Sequence, residues 1–406
     1  MTQTYLADHV SVAPRYQRSV RIDADFGQAD PLSGYVLQGS ARDALTTTLR
    51  LATNGQGAFT WTGPYGGGKS SLALALASYS LGRGPAFKEA KQLLCDVPEV
   101  TAVFGRAPKD WLCVPLSGRR GDPVADLREA LASAIAGEPG HARTKRSKME
   151  AADGCDIVER LQREVEARPK GGVLVIVDEL GKYLEGAADH AIDIHFFQDL
   201  AEAANRSEGR LIVVGVLHQA FERYADRLGQ SVQDEWRKIQ GRFADVPIIT
   251  AVDEVIELVG RAVTTERSHP QSHAIAAIVA SEIAERRPGV PKDLAERLDD
   301  CWPLNPAAAA LLGPITRRRF SQNERSLFGF LASAEPNGFT EFLQRTTLAS
   351  GRTFGPAELW DYLQVNLEPA IMASPDGHRW AQAAEAIARA GRDGNYLRLQ
   401  IAKTVA

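Results

Sequence analysis

Gly63-Pro64-Tyr65-Gly66-Gly67-Gly68-Lys69-Ser70 stands between the β-prone run Ala58-Phe59-Thr60-Trp61-Thr62 and the strongly helical Ser70-Ser71-Leu72-Ala73-Leu74-Ala75-Leu76-Ala77. The octapeptide matches Gly-x-x-x-x-Gly-Lys-Ser/Thr in the context that motif requires, a strand before and a helix after. Gly63 opens the loop. Glycine permits the tight backbone and close approach by which the N–H groups of Gly66, Gly67, Gly68 and Lys69 can wrap a β-phosphate. The helix beginning near Lys69 aims its positive dipole end at the same anion. Lys69 is then expected to reach the β- and γ-oxygens, the Ser70 hydroxyl to ligate Mg²⁺, and Ser71 to touch the α-phosphate, which makes ATP and Mg²⁺ the expected ligands. The bland alternative is a glycine-rich turn.

Around this loop, strand-like and helix-like segments alternate. Helical patterning covers Ala41–Ala52, Val124–Ala136, Ile157–Ala167, Ala191–Ala204 and Val232–Gln240. Strand patterning covers Trp111–Leu116, Val173–Val177, Leu211–Leu217 and Val246–Thr250. Two of these strands are apolar throughout, the signature of a parallel sheet covered on both faces. Beyond residue 250 the β-signal fades and proline-punctuated helices follow, Ala251–Thr264, His273–Arg286, Pro291–Cys301, Pro306–Ile315 and Arg325–Ala332. The expected organisation is an N-terminal linker and lead-in helix over 1–50, an α/β core over 51–250 and a helical region over 251–406. The last residues, Asn395 to Ala406, open an amphipathic helix with no stop signal, so the chain is expected to end inside a structural element, as a truncation would.

The second motif is Val173-Leu174-Val175-Ile176-Val177-Asp178-Glu179, an apolar strand ending in two acids. Asp178 suits a carboxylate that holds Mg²⁺ through water, and Glu179 one that polarises the attacking water. Acidic turn residues at a strand end are the alternative. A water-activating glutamate here argues against a small-molecule kinase. Leu211 to Leu217 forms another buried strand and ends in His218-Gln219, placed for a polar contact near the γ-phosphate or for a simple turn. Gly241-Arg242-Phe243 closes a helix ahead of the last strand, where an arginine also offsets a helix dipole. Gln322-Asn323-Glu324-Arg325-Ser326 stands at a helix start beside Arg317-Arg318-Arg319. The basic run His141 to Lys148 reads as a surface loop or as a nucleic-acid contact.

Composition bounds the rest. At roughly 150 residues per domain, 406 residues make two or three domains. With 44% hydrophobic and 24% charged residues, the chain folds. Lys+Arg number 47 against 51 Asp+Glu, a net charge of −4, which excludes a chain-wide basic coat for nucleic acid. No apolar run approaches the ~18 residues of a membrane span and no signal-peptide core opens the chain, so a cytoplasmic protein without membrane contact is expected. Cys95, Cys113, Cys155 and Cys301 form no CxxC pair and the histidines no HExxH. The cysteines read as small buried hydrophobes in a reducing compartment, and no protein-built metal centre is expected.

Taken in order, the glycine loop, Asp178-Glu179, the polar strand end, Gly241-Arg242-Phe243 and Asn323-x-Arg325 resemble the AAA+ superfamily of ASCE P-loop ATPases over roughly residues 35–335. The resemblance implies a P-loop parallel sheet followed by an α-helical lid. It also implies a sensor 1 role for His218 or Gln219, an arginine acting on a neighbouring subunit's site for Arg242, and a sensor 2 arginine for Arg325. His-Gln departs from the commoner Asn or Thr of sensor 1. Asp178-Glu179-Leu180-Gly181-Lys182-Tyr183-Leu184-Glu185 and Gln322–Ser326 are similar, more narrowly, to large bacterial ATP-binding proteins of phage-defence islands, including bacteriophage-exclusion systems. That similarity implies ATP hydrolysis driving a conformational or assembly step, in a homo-oligomer or with partner proteins of a defence system, with DNA contact as an option. A slow-hydrolysing switch or scaffold that recruits an effector is the alternative.

Overall fold

The computed structural model describes residues 4–13, 20–64, 67–105, 110–137, 156–189, 195–219, 224, 230–249, 251–265, 270–287, 289–317 and 327–406. Its strands are β1 (Val10–Val12), β2 (Ala58–Thr62), β3 (Trp111–Ser117), β4 (Gly172–Asp178), β5 (Leu211–Leu217), β6 (Ala244–Pro247) and β7 (Val263–Thr265). Five of them form a parallel sheet in the order β3-β4-β5-β2-β6. β5 therefore lies between β2, which feeds the glycine loop, and β4, which ends in Asp178. This inserted strand defines the fold as an α/β P-loop NTPase sheet of the AAA+/ASCE type, followed along the chain by a helical unit.

Every residue of β2, β4 and β5 is buried, because these strands have neighbours on both sides and helices on both faces. Successive side chains alternate between two cores. Phe59, Trp61, Leu174, Ile176, Ile212 and Val214 face the helices Gly39–Thr53, Lys69–Ser80, Phe87–Leu93 and Pro98–Phe104. Ala58, Val173, Val175, Leu211 and Val213 face Pro123–Ala136, Ile157–Glu166 and His195–Asn205. The helix after the glycine loop is buried nearly all round, from Leu72 to Ser80, so it is a core element rather than an amphipathic cover. The one polar atom of the Trp61 side chain is satisfied inside the core: its Nε1 donates to Thr48 Oγ1 at 2.9 Å.

The last strand begins earlier than its apolar pattern indicates, at Ala244 rather than Val246, and stops at Pro247. Asp245 accepts hydrogen bonds from the Thr60 and Thr62 hydroxyls at 2.8 and 3.2 Å, which sets the register of Phe59 on Ala244. Pro247 has no N–H to extend the ladder, as befits an edge strand. The other edge strand, β3, likewise tolerates Pro115.

Chain contacts divide the protein into two compact units, one spanning Val20–Ile249 and the other built from the described residues before and after it. The first fifty residues are thus shared out. Val20 to Arg50 belongs with the sheet, and β1 with the helical unit, where it pairs antiparallel with β7. This small sheet shows that β-structure does not end at residue 250. The helix from Val252 stops at Ala262 because Val263 is already extended. The helical unit continues through Pro270–Arg286, Leu294–Asp299, Pro306–Arg317, Leu327–Ala332, Phe339–Arg345, Pro356–Met372, Gly377–Ala390 and Tyr396–Val405. Its core gathers Val259, Leu298, Phe330, Phe339, Phe354 and Tyr362, with Phe330 edge-on to Tyr362 at 4.8 Å. Cys113 and Cys301 are buried as expected of small hydrophobes, but Cys95 is exposed, and Cys155 lies outside the described residues. No helix among the described residues is long and apolar enough to cross a membrane, and among them no cluster of His, Cys, Asp and Glu is arranged to hold a metal ion.

Candidate active site

Because the strands are parallel, Thr62, Ser117, Asp178 and Leu217 end at one edge of the sheet. The site is built there. Gly63 leaves β2 pressed against the residue that follows β6: a Cβ on it would lie 2.1 Å from the Ile248 carbonyl oxygen. Gly68 takes the left-handed conformation, φ +72°, that turns the chain into the helix Lys69–Ser80, and an added Cβ would meet the Tyr35 ring at 3.2 Å. Tyr65 and Gly66 lie outside the described residues, so Gly63, Gly67, Gly68, Lys69, Ser70 and Ser71 are the described part of the expected cradle.

Lys69 is only 4% exposed. Its Nζ donates to the carbonyl oxygens of Gly63 and Pro64 at 2.7 and 2.6 Å, folding the side chain back along its own loop. Burial lowers its pKa to about 8, partly offset by the charge of Asp178. The Ser70 hydroxyl donates to Asp178 Oδ1 at 3.1 Å. Asp178 is itself 3% exposed, and burial raises its pKa to about 6 against the hydrogen bond from Ser70. A buried lysine and a buried aspartate, with a serine bridging toward the acid, form a charge arrangement that could hold a phosphate and a divalent cation. The donor set fits Mg²⁺: a hydroxyl and a carboxylate are the hard oxygen ligands that ion takes.

Glu179 occupies a strained turn, φ +54° for a residue with a Cβ. Its surroundings force that conformation. Its N–H donates to Asp178 Oδ1 at 3.0 Å, and the next N–H, of Leu180, donates to the Val216 carbonyl at 3.0 Å. Gly118 and Gly215 make room: added Cβ atoms would sit 2.2 Å from the Glu179 carbonyl oxygen and 2.4 Å from Leu180 Cδ2. The Glu179 carboxylate is ion-paired with the Lys182 ammonium three residues on.

His218 follows β5 directly beside the loop. Its ring nitrogens are shielded from solvent. Burial, with the charges of Lys69 and Lys182, lowers its pKa to about 3, so the ring is neutral near pH 7. It is thus a polar, uncharged group at the end of β5, the strand between β2 and β4.

Arg242 is not brought to this edge. Its carbonyl accepts from Asn205 Nδ2 and Gln56 Nε2 at 2.9 and 3.3 Å, at the opposite end of β2. The five residues of β2 separate it from Gly63 by about 16 Å. Its guanidinium is half-exposed and pairs with Glu202 at 3.2 Å. Arg325, with Asn323 and the Arg318-Arg319 cluster, lies outside the described residues, as does the basic run 141–148.

Further contributors come from outside the motif roles. Tyr35 packs on Gly68 from the segment expected to be a linker. Arg21 and Asp23 pair at 2.7 Å near the same edge, and the Arg21 guanidinium is held protonated by Asp23 and, more weakly, by the charge of Glu179. Lys182 stands on the helix that follows Glu179. Arg21, Asp23 and Tyr35 carry no spacing signal, because tertiary packing brings them in; Lys182 is near in sequence, but Glu179 lies outside the helix that starts at Gly181, so helical spacing does not announce the pair.

No protein-family model and no curated protein matches the sequence. Among solved structures, the ORC2 protein of Aeropyrum pernix, in its ADPNP–ADP complexes, matches at 14% identity over 76% of this chain and 86% of that one, with a TM-score of 0.33. The fold assignment rests on the strand order, not on that match.

Proposed function

We propose that this protein binds Mg·ATP and hydrolyses it to drive a conformational or assembly step. The observation that carries the reading is the convergence of Lys69, Ser70, Asp178, Glu179 and His218 at one strand edge. Lys69 would hold the β- and γ-phosphates and the loop N–H groups the β-phosphate; Ser70 and Asp178 would hold the cation. Mg²⁺, when bound, neutralises phosphate oxygens. Glu179 would take the proton of the attacking water as its oxygen bonds to the γ-phosphorus and ADP leaves with the bridging oxygen. Neutral His218 would contact the γ-phosphate without adding charge. Arg325 is proposed as a second contact to that phosphate, and Arg242 as a group acting on a neighbouring subunit.

The motif resemblance supports a setting in a bacterial phage-defence or DNA-transaction complex, with partner proteins or further copies of the chain. A slow-hydrolysing switch that recruits an effector is the second reading, favoured by the ion pair that occupies the Glu179 carboxylate. Phosphate release from Mg·ATP tests both: a motor is expected to exceed about 0.1 per second with DNA or partner, and a switch to stay below it. Glu179→Gln is expected to retain ATP binding while turnover falls at least ~10²-fold. Parallel loss of binding and turnover would make Glu179 structural, and phosphate transfer to a small acceptor in place of release would make the protein a kinase.

A further inference from the structure

Lys182 is a cation to which the motifs assign no role. It sits in the first turn of the helix Gly181–Asp189, and its backbone N–H donates to the Glu179 carbonyl at 3.0 Å, so its position is tied to the strained Asp178-Glu179 turn. Its ammonium pairs with Glu179 Oε2, the carboxylate proposed to activate water. The lysine side chain is 45% exposed and the glutamate 30%, so the pair is a partly solvated i,i+3 contact. Such pairs are weak, and a better anion can displace one partner from the other. The charge of Lys182 also reaches inward, since with Lys69 it disfavours protonation of His218. What places Lys182 at the site is its pairing, through both side chain and backbone N–H, with Glu179 at the end of the strand that carries Asp178.

The neighbouring cations are differently engaged. Arg119 pairs with Asp126, Arg120 with Glu185 at 3.1 Å and Arg21 with Asp23 at 2.7 Å, none of them with the proposed water-activating group. Lys69 donates to the loop carbonyls of Gly63 and Pro64 and is the cation already proposed for the β- and γ-phosphates. A flexible four-carbon stem carrying a point charge suits Lys182 to exchange one anion for another.

We propose that Lys182 is a second phosphate-binding cation, which leaves the Glu179 carboxylate for the terminal phosphate of a bound nucleoside triphosphate and so frees Glu179 for its work. The inference rests on the nucleotide-binding reading above. A diphosphate offers no terminal phosphate at that place, so Lys182 stays on Glu179 and the site remains silent. The exchange makes Lys182 a discriminator of triphosphate from diphosphate and couples recognition to release of the base.

Equilibrium binding of Mg·AMP-PNP and Mg·ADP to the whole chain tests this without turnover. Lys182→Ala is expected to weaken AMP-PNP about tenfold, the scale of one charge-assisted hydrogen bond, and to leave ADP within about twofold. Lys182→Arg, which keeps the charge, is expected to recover most of the loss. Glu179→Gln removes the competing carboxylate and should tighten AMP-PNP several-fold, a gain that disappears when combined with Lys182→Ala. Equal effects on both nucleotides, no effect on either, or a Glu179→Gln gain that survives Lys182→Ala would overturn the proposal. Failure of the unsubstituted chain to bind either nucleotide would instead overturn the nucleotide-binding reading beneath it.

Discussion

The Ser70 hydroxyl donates to Asp178 Oδ1 at 3.1 Å, joining residues 108 positions apart in the chain. Their strands are not neighbours. β5 lies between β2 and β4, so the two strands stand about 9–10 Å apart. Ser70 lies in the first turn of the helix Lys69–Ser80, and from there it spans that gap to Asp178 at the end of β4. His218 follows β5, the strand between β2 and β4, and its ring nitrogens are shielded from solvent.

Lys69→Ala is expected to weaken ATP binding at least about tenfold, because no other side chain of the loop brings a cation to the β- and γ-phosphates. Calorimetric titration with Mg·ATP measures it. Unchanged affinity would refute the cradle assignment.

Gly63→Ala tests the frame of the loop. The new Cβ would lie 2.1 Å from the Ile248 oxygen, a backbone atom whose residue also donates from its N–H to the Thr62 carbonyl at 2.7 Å. Moving β6 aside is expected to cost about 1–3 kcal/mol, read as a lower denaturation midpoint, with weaker nucleotide binding. A full-strength variant would show that the edge strand yields freely.

His218, neutral and with its ring nitrogens shielded from solvent, makes the nucleotide-free protein acid-sensitive. Its folded pKa, about 3, is below its unfolded value near 6.5, so the unfolded chain takes up the proton first as pH falls. The stability involved is intact above about pH 6.5 and is lost progressively toward pH 3. Between about pH 7.5 and pH 5 the loss amounts to about 1–2 kcal/mol. Urea denaturation of the unsubstituted protein and of His218→Gln at both pH values measures it; the variant should lose less by that amount. Identical losses would place the imidazole in solvent.

For Arg242, a role on a neighbouring subunit predicts that Arg242→Ala protein hydrolyses ATP poorly alone and recovers activity when mixed with Glu179→Gln protein. One mixed interface then pairs an intact Glu179 with an intact Arg242, and recovery should rise with protein concentration. Its guanidinium must leave Glu202 to act there. Normal turnover of Arg242→Ala, or no recovery in assemblies shown to be mixed, would leave it as a surface ion pair worth at most about 1 kcal/mol.

Local patterning is enough to mark the central strands of the sheet and the residues that stand at their ends. Apolar runs such as Val173–Val177 and Leu211–Leu217 suit central parallel strands, and a glycine loop between strand and helix states its chemistry locally. What surrounds that edge depends on contacts between distant parts of the chain. The start of β6 follows from Asp245 meeting the Thr60 and Thr62 hydroxyls, pairings across 185 and 183 positions. β1 and β7 are three-residue strands, too short for a periodic signal and defined only by each other. Tyr35 reaches Gly68, and Arg21 the neighbourhood of Glu179, through packing of a segment with no motif of its own. Period and motif are properties of neighbours in sequence; charge, burial and strain at Lys69, Asp178 and Glu179 come from neighbours in space, which the chain acquires on folding.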